Sequence, residues 1–335
     1  MHPALLGLIT IIIGVTGCVG YFYGANLLLD KVLFPAKGPN IGRNINRREA
    51  IRPWIFLFPA VLGLGLYLAY PVLATLRLSF LERVPGNEYV FVGFKNYQQM
   101  FAEDKFMEAL RNNVLWLVVV PAASTAFGLL AAQLTDRLRW GNIAKSAIFM
   151  PMAISFVGAA VIFKLIYEAR PVDVAQIGVL NALYLQLGGD EPQQWLTIPF
   201  WNNFFLMAVL IWIQTGFAMV ILSAALRGIP EETIEAAIVD GANPFQIFFK
   251  IKVPQITSTI VVVWTTITIA TLKVFDIVFA MTNGQWETQV LANYMYTKMF
   301  VARDWGMGSA SAMIIMLLVM PILIWNVYNA RKEMR

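Results

Sequence analysis

The sequence is poor in the groups from which most active sites are built. One cysteine, Cys18, and one histidine, His2, occur in 335 residues. A disulfide framework is excluded, and a Cys/His metal site has no ligand set. Charged residues make up 13% of the chain, against about 25% in an ordinary soluble domain. There is no G-x-x-x-x-G-K-[ST] phosphate loop, so the chain has no such means of hydrolysing a nucleotide. Clustered carboxylates are missing as well. Asp173, Asp190 and Glu191 are the nearest approach, too sparse for a membrane-embedded glycosyltransferase. The net charge of +5 is scattered rather than gathered into a stripe, which argues against a nucleic-acid surface.

What the chain has instead is length without charge. Seven stretches of at least 18 residues lack Lys, Arg, Asp and Glu: Met1–Leu29, Pro53–Leu76, Asn112–Thr135, Ser146–Phe163, Pro192–Leu226, Val253–Leu272 and Trp305–Ala330. A helix needs about 20 apolar residues to cross a hydrocarbon core of about 30 Å. Soluble helices keep one wet face and do not repeat such runs. The reading is an all-α integral membrane protein with seven spans.

The first span precedes the others as an addition. Met1-His2-Pro3 lacks the basic start of a secretory signal, and Val15-Thr16-Gly17-Cys18 resembles a lipoprotein cleavage box. A retained peripheral helix, smoothed by Gly7, Gly14, Gly17, Gly20 and Gly24, is the better reading. The expected division is an extra helix at 1–30, a basic linker at 31–53 and a main domain at 54–335. Within that domain the expected spans are about 54–76, 110–135, 146–167, 201–226, 255–280 and 306–330.

Loop charge sets the orientation. The first connection carries Lys31, Lys37, Arg43, Arg47, Arg48 and Arg52 against Asp30 and Glu49, a cytoplasmic pattern. Arg137, Arg139 and Lys145, then Arg227, Lys250 and Lys252, then Arg331, Lys332 and Arg335, mark later cytoplasmic segments. The balanced 77–111 loop and the acidic 168–191 segment fit the outside, as does the N-terminus. The first of these carries Tyr89, Phe91, Phe94, Tyr97 and Phe101, for self-packing or for a partner. In the second, Val174–Leu187 has the spacing of a helix lying on the membrane surface.

The segment Arg227–Pro254 is the most informative. Pro230 suits the first turn of a helix, with Glu231 and Glu232 at the positive end of its dipole. Ile234, Ala237 and Ile238 form one small apolar face, and Gly241 can end the helix in the left-handed conformation. Asn243, Pro244 and Gln246 predict a capping box that starts a second helix at once. Phe245, Phe248 and Phe249 then share a face. Two short helices with an elbow are expected. An amphipathic loop resting on lipid headgroups is the plainer alternative.

Glu235-Ala236-Ala237, three residues, Gly241, nine residues, then Ile251 and Pro254, resembles the EAA loop of binding-protein-dependent ATP-binding cassette (ABC) import permeases. The run from Asp240 to Lys250 is similar to the maltose-type sugar permeases, as are Phe149-Met150-Pro151, Phe275-Asp276 and Thr282-Asn283-Gly284. Val253 departs from the family's usual leucine. The resemblance covers about 280 residues from Trp54 onward and implies a six-helix ABC importer core. It also implies that the loop docks on a separate ATPase subunit, which holds the ATP and magnesium while this chain binds no cofactor. Glu235 would face that subunit, Gly241 permit the elbow, and Ala236 and Ala237 allow close approach. A second homologous permease, an ATPase dimer and an extracytoplasmic sugar-binding protein are the implied partners, in the lipid of a bacterial inner membrane.

Candidate substrate-facing groups are Ser155, Gln214, Thr215, Thr268 and Thr271, with Trp212, Phe217 and Trp264 as flat faces for a sugar ring. The alternatives are that the hydroxyls bond their own helices and the tryptophans sit in interface belts. Lys164, Lys273 and Asp276 fall at expected span ends, leaving no acid deep in a crossing. That absence argues against an ion-coupled secondary carrier. The expected substrate is a maltose-like sugar, an α-glucoside or glucosylglycerol.

Overall fold

A computed structural model describes residues 3–35, 41–86, 88–136 and 138–333. Met1-His2, Lys37, Arg137 and Arg335, which entered the sequence reading, lie outside the described residues. The chain divides into two compact units, Met1–Ala74 and Thr75–Arg335.

The first unit holds α1 (Pro3–Leu27) and most of α2 (Ile41–Leu78), both long and apolar enough to cross a membrane. Their large apolar side chains, Leu57 and Tyr67 among them, are exposed along the helices, as lipid contact requires. Helix α2 starts at Ile41, so residues 41–52 of the expected linker are helical. Pro59 cannot donate to the carbonyl four residues back, and the Tyr21 hydroxyl donates to that Ile55 oxygen instead, at 2.7 Å. A proline inside α2 thus becomes a fastening point for α1.

The second unit opens with a hairpin, β1 (Leu81–Val84) antiparallel to β2 (Glu88–Phe91), turned through Pro85-Gly86. It is the one sheet among the described residues and a small departure from an all-α chain. Helix α3 (Lys95–Ala102) follows, and Asn96 donates to the Ser79 and Leu81 carbonyls at 2.9 Å each. Phe80 packs against Phe91, Phe94 and Tyr97, with centroids 5.3–6.5 Å apart, and Phe101 packs on Phe106. Phe91, Phe94 and Tyr97 therefore pack around Phe80, although Phe91, Phe94 and Phe101, like Tyr89, keep much of their surface exposed.

Helix α4 (Asp104–Thr135) is a full crossing. The expected fourth span is not continuous. It consists of α5 (Gly141–Phe149), a tight turn at Met150–Ala153, and α6 (Phe156–Ile166), bent by 105°. Pro151 ends the first half, and Ser155 starts the second by accepting the Gly158 N–H at 3.1 Å. Helix α7 (Val179–Gln186) is shorter than the expected 174–187. Helix α8 (Trp201–Arg227) is the second straight crossing of this unit.

After the elbow segment, α9 (Glu231–Val239) and α10 (Pro244–Gln255), comes α11 (Thr257–Leu272), bent by 71° from α10. The expected sixth span to residue 280 ends early: Lys273–Phe275 break the helix and α12 (Asp276–Met281) is separate. A short α13 (Leu291–Tyr296) leads to α14 (Trp305–Glu333). Among the described residues five helices can cross a membrane alone, and seven crossings result when each bent pair counts as one.

Lipid tails provide no hydrophobic drive between helices, so close approach matters most. Helices α4 and α8 meet where Gly128 lies against Ala218 and Met219. The end of α5 reaches α8 because a Cβ at Gly216 would stand 2.6 Å from the Ile148 carbonyl oxygen. Around these contacts Trp116, Leu206, Met207, Met219, Leu222 and Ile267 form the main buried core.

Candidate functional site

Two places in the second unit carry chemistry: a cavity where the broken spans meet, and the exposed elbow at the other end of α11. The cavity has a volume of 590 Å³. Its walls are apolar, from Met152, Ile154, Phe156, Val157, Ile213 and Phe217, with Ala270 on α11. Four polar side chains enter it: Ser155, Gln214, Thr266 and Asp276. Local chain breaks put two of them there. Ser155 caps α6 after the Pro151 turn, and Asp276 opens α12 after α11 stops. Gln214 is half-buried on α8 and makes no side-chain hydrogen bond among the described residues. Asp276 is half-buried and makes no ion pair among them. An amide and a carboxylate free to bond, set in apolar walls, suit a neutral polyhydroxylated ligand.

Of the groups selected by sequence, Ser155, Gln214 and Phe217 reach this cavity. The others do not line it. Thr215, Thr268 and Thr271 donate to Ile211, Trp264 and Ile267 carbonyls of their own helices at 2.7–2.8 Å. Trp212 packs on Phe163 with centroids 5.4 Å apart, and Trp264 is exposed on α11. The reading missed Asp276 and Thr266. Placing Asp276 at a span end rested on a continuous sixth helix, and the break at Lys273–Phe275 turns it into the cavity instead.

Sequence reasoning also missed an asparagine clasp on the 282–290 loop, at the end of the helices remote from the elbow. Asn112 and Asn113 on α4, and Asn202 and Asn203 on α8, are all buried. Asn112 donates to the Glu287 and Gln289 carbonyls at 2.8 and 2.9 Å; Asn202 donates to Trp286 at 2.5 Å and Asn203 to Glu287 at 3.3 Å. Asn113 accepts the Leu291 N–H at 2.7 Å. The loop needs such holding, because Asn283, Trp286 and Glu287 all have positive φ, sparsely populated for residues with a Cβ. The signal available was two Asn-Asn pairs, each near one end of a long apolar stretch.

The elbow forms as its residues require. Helix α9 ends with the Gly241 N–H donating to Ile238 at 3.0 Å and the Ala242 N–H to Ala237 at 2.9 Å, a Schellman closure. Gly241 takes φ +81°, which its missing side chain permits. Asn243 and Gln246 form the capping box, both bonds 2.9 Å. Pro230 stands just before α9 rather than inside it. Ala237 is buried and Ile234 half-buried, but Ile238 faces outward, so the expected three-residue apolar face is narrower. Glu235, Ala236, Asp240, Pro244 and Pro254 are exposed; Phe248 and Ile251 are half-buried. Phe245 and Phe249 are 76% and 62% exposed, large apolar surface left uncovered beside charge.

Behind the elbow, the ends of α4, α5 and α8 are tied by one carboxylate. Asp136 accepts from Lys145, and from the Ser223 hydroxyl at 3.1 Å, with Arg227 at 3.7 Å. A polar cavity of 370 Å³ lies between this knot and Glu231 and Ile234 of α9. The elbow thus joins the helix bundle at its charged end.

A bundle with two broken spans around a central cavity and an exposed helical elbow is the architecture of a multi-pass importer permease. The fold matches a solved bacterial ABC transporter involved in the import of the acidic polysaccharide alginate, with a TM-score of 0.72 at 21% identity, over 87% of this chain and 98% of that one. A family model described as "Binding-protein-dependent transport system inner membrane component" matches residues 124–334, and the chain belongs to that family. It is 60% identical to the alpha-glucoside transport system permease protein AglF of Rhizobium meliloti, over 99% of both chains. It is 49% identical to the osmoprotective compounds uptake permease protein GgtC of Synechocystis sp., over 84% of this chain and all of that one. This chain is accordingly a multi-pass inner-membrane permease subunit of an ABC importer.

Proposed function

We propose that this permease carries an α-glucoside, a sugar of the maltose-like class, from an extracytoplasmic binding protein into the cytoplasm. The observation that carries the substrate class is the 60% identity, end to end, with an alpha-glucoside permease. The cavity agrees with it. Its apolar walls can face the C–H surface of a pyranose ring, while Gln214, Ser155 and Asp276 bond hydroxyls. The lower identity to a permease for osmoprotective compounds makes a glucosylated osmolyte the second reading.

ATP and magnesium belong to a separate ATPase dimer, which docks on the elbow through Glu235, Gly241 and the uncovered Phe245 and Phe249. Closure of that dimer pushes α9, and the Asp136 knot passes the motion to α4, α5 and α8 as a rigid-body change. A second, homologous permease completes the pore. The elbow faces the cytoplasm with the C-terminus, the N-terminus lies outside, and the permease domain occupies 54–335.

Uptake of labelled maltose and other α-glucosides by cells carrying the full importer tests this reading. Insensitivity to protonophores and loss on ATP depletion are expected; uptake driven by an ion gradient alone sinks it. Gln214→Ala removes one hydrogen bond to sugar, worth about 0.5–1.5 kcal/mol. The expected result is an apparent KM raised about 3- to 10-fold for some sugars, with ATPase docking intact. Unchanged kinetics across all sugars takes Gln214 out of the pocket.

A further inference from the structure

The first unit holds a cavity of its own, 550 Å³ in volume and almost wholly apolar. Gly24 and Ala25 of α1, with Leu28 just past its end, form one side, and Trp54, Ile55 and Phe58 of α2 the other. Nothing lies within 4 Å of where side chains at Gly20 and Gly24 would begin, so the floor of the groove is open. Helix register continues this seam into charge. On α2, Arg52 and Arg48 lie about one and two turns before Ile55 on the same face. On α1, the chain past Leu28 brings Asp30 to meet them, at 3.2 Å from Arg48 and 2.8 Å from Arg52.

That charge cluster is unbalanced. Two guanidiniums face one carboxylate, leaving one net positive charge. Neither Nε–H finds an acceptor among the described residues, and the side chains remain 21% and 37% exposed. Lys31, Arg43 and Arg47 add positive charge nearby and Glu49 opposes it, giving five basic against two acidic residues in the described parts of 30–52. An apolar groove in a bilayer that ends at surplus arginines has the two halves of a phospholipid's chemistry. A neutral lipid satisfies only the groove. A partner helix would have to bring its own carboxylate to that depth.

The geometry points to a binding site for an anionic phospholipid, with an acyl chain in the α1–α2 groove and the phosphate on Arg48 and Arg52. Asp30 holds the two guanidiniums in place for the headgroup and tunes the charge they present. The site belongs to whichever leaflet meets that end of the seam, so it does not depend on the orientation or the substrate assigned above.

The test is native mass spectrometry of the full-length chain, purified with its accompanying subunits from membranes containing both phosphatidylglycerol and phosphatidylethanolamine. Preferential retention of phosphatidylglycerol is expected. The Arg48→Gln, Arg52→Gln double variant should lose that preference by about fivefold per arginine removed. Asp30→Asn should strengthen the preference, an outcome that a merely structural ion pair does not produce. Ala25→Phe, which fills the groove, should lower retention of both lipids. The proposal is overturned by a preference that neither charge variant alters, or by a groove variant that sheds a protein subunit and keeps its lipid.

Discussion

Replacing Gly241 by valine should abolish uptake while leaving the chain in the membrane at normal abundance. The residue sits at φ +81°, where an L-residue costs about 1–2 kcal/mol and a β-branched one is a genuine outlier. The substituted segment escapes by rotating Gly241 back, which breaks the Gly241–Ile238 and Ala242–Ala237 bonds and changes the angle between α9 and α10. Nothing lies within 4 Å of the missing side chain, so the effect is conformational rather than steric crowding. Asparagine tolerates the left-handed region, so Gly241→Asn should keep much of the activity. The two variants are compared by uptake and by stimulation of ATP hydrolysis by the binding protein. Valine transporting as well as asparagine sinks the elbow argument.

The second large effect is expected at the asparagine clasp. Asn112→Leu keeps the side-chain size and removes both bonds, leaving the Gln289 carbonyl without a donor in a buried place and the Glu287 carbonyl with Asn203 alone. The orphaned carbonyl costs about 1–3 kcal/mol and the weakened one up to about 1 kcal/mol more, so a loss of about 1–4 kcal/mol in local stability follows. Because the 282–290 loop is held in left-handed backbone by these bonds, the loss should appear there first. Hydrogen exchange should speed up through residues 282–291 and change little in α9 and α10. Equal protection in the variant and the parent shows that the loop holds itself.

How much of this was legible depended on how local its cause is. The straight crossings and the elbow follow from short-range physics: the apolar runs of α4 and α8, Gly241 at a helix end, Asn243 three residues before Gln246. The broken crossings were hidden because hydropathy counts residues and does not see direction. Pro151 sits in an apolar run, and the run reads the same whether the chain continues or turns by 105°. Asp276 was misplaced for the same reason. The clasp is beyond local reading altogether, since Asn112 and Glu287 are 175 residues apart and only the fold brings them together. The threonines that bond their own helices show the opposite error, of giving a ligand role to groups whose needs are met within one turn.

The broken spans also bear on electrical insulation. At about 1.5 Å per residue, the 11 residues of α6 reach about 16 Å and the 16 of α11 about 24 Å. Neither covers a hydrocarbon layer of about 30 Å. Non-helical backbone at depth persists only against protein or water, so the turns at 150–155 and 273–275 bring a wet or proteinaceous surface inside the bilayer. Lipid cannot be the insulator there. The side chains that line the cavity between these turns, Met152, Ile154 and Phe217 among them, are then the apolar material on hand for that task. Shrinking them to alanine should raise ion conductance in the absence of sugar, a change that current recordings on the reconstituted importer would read.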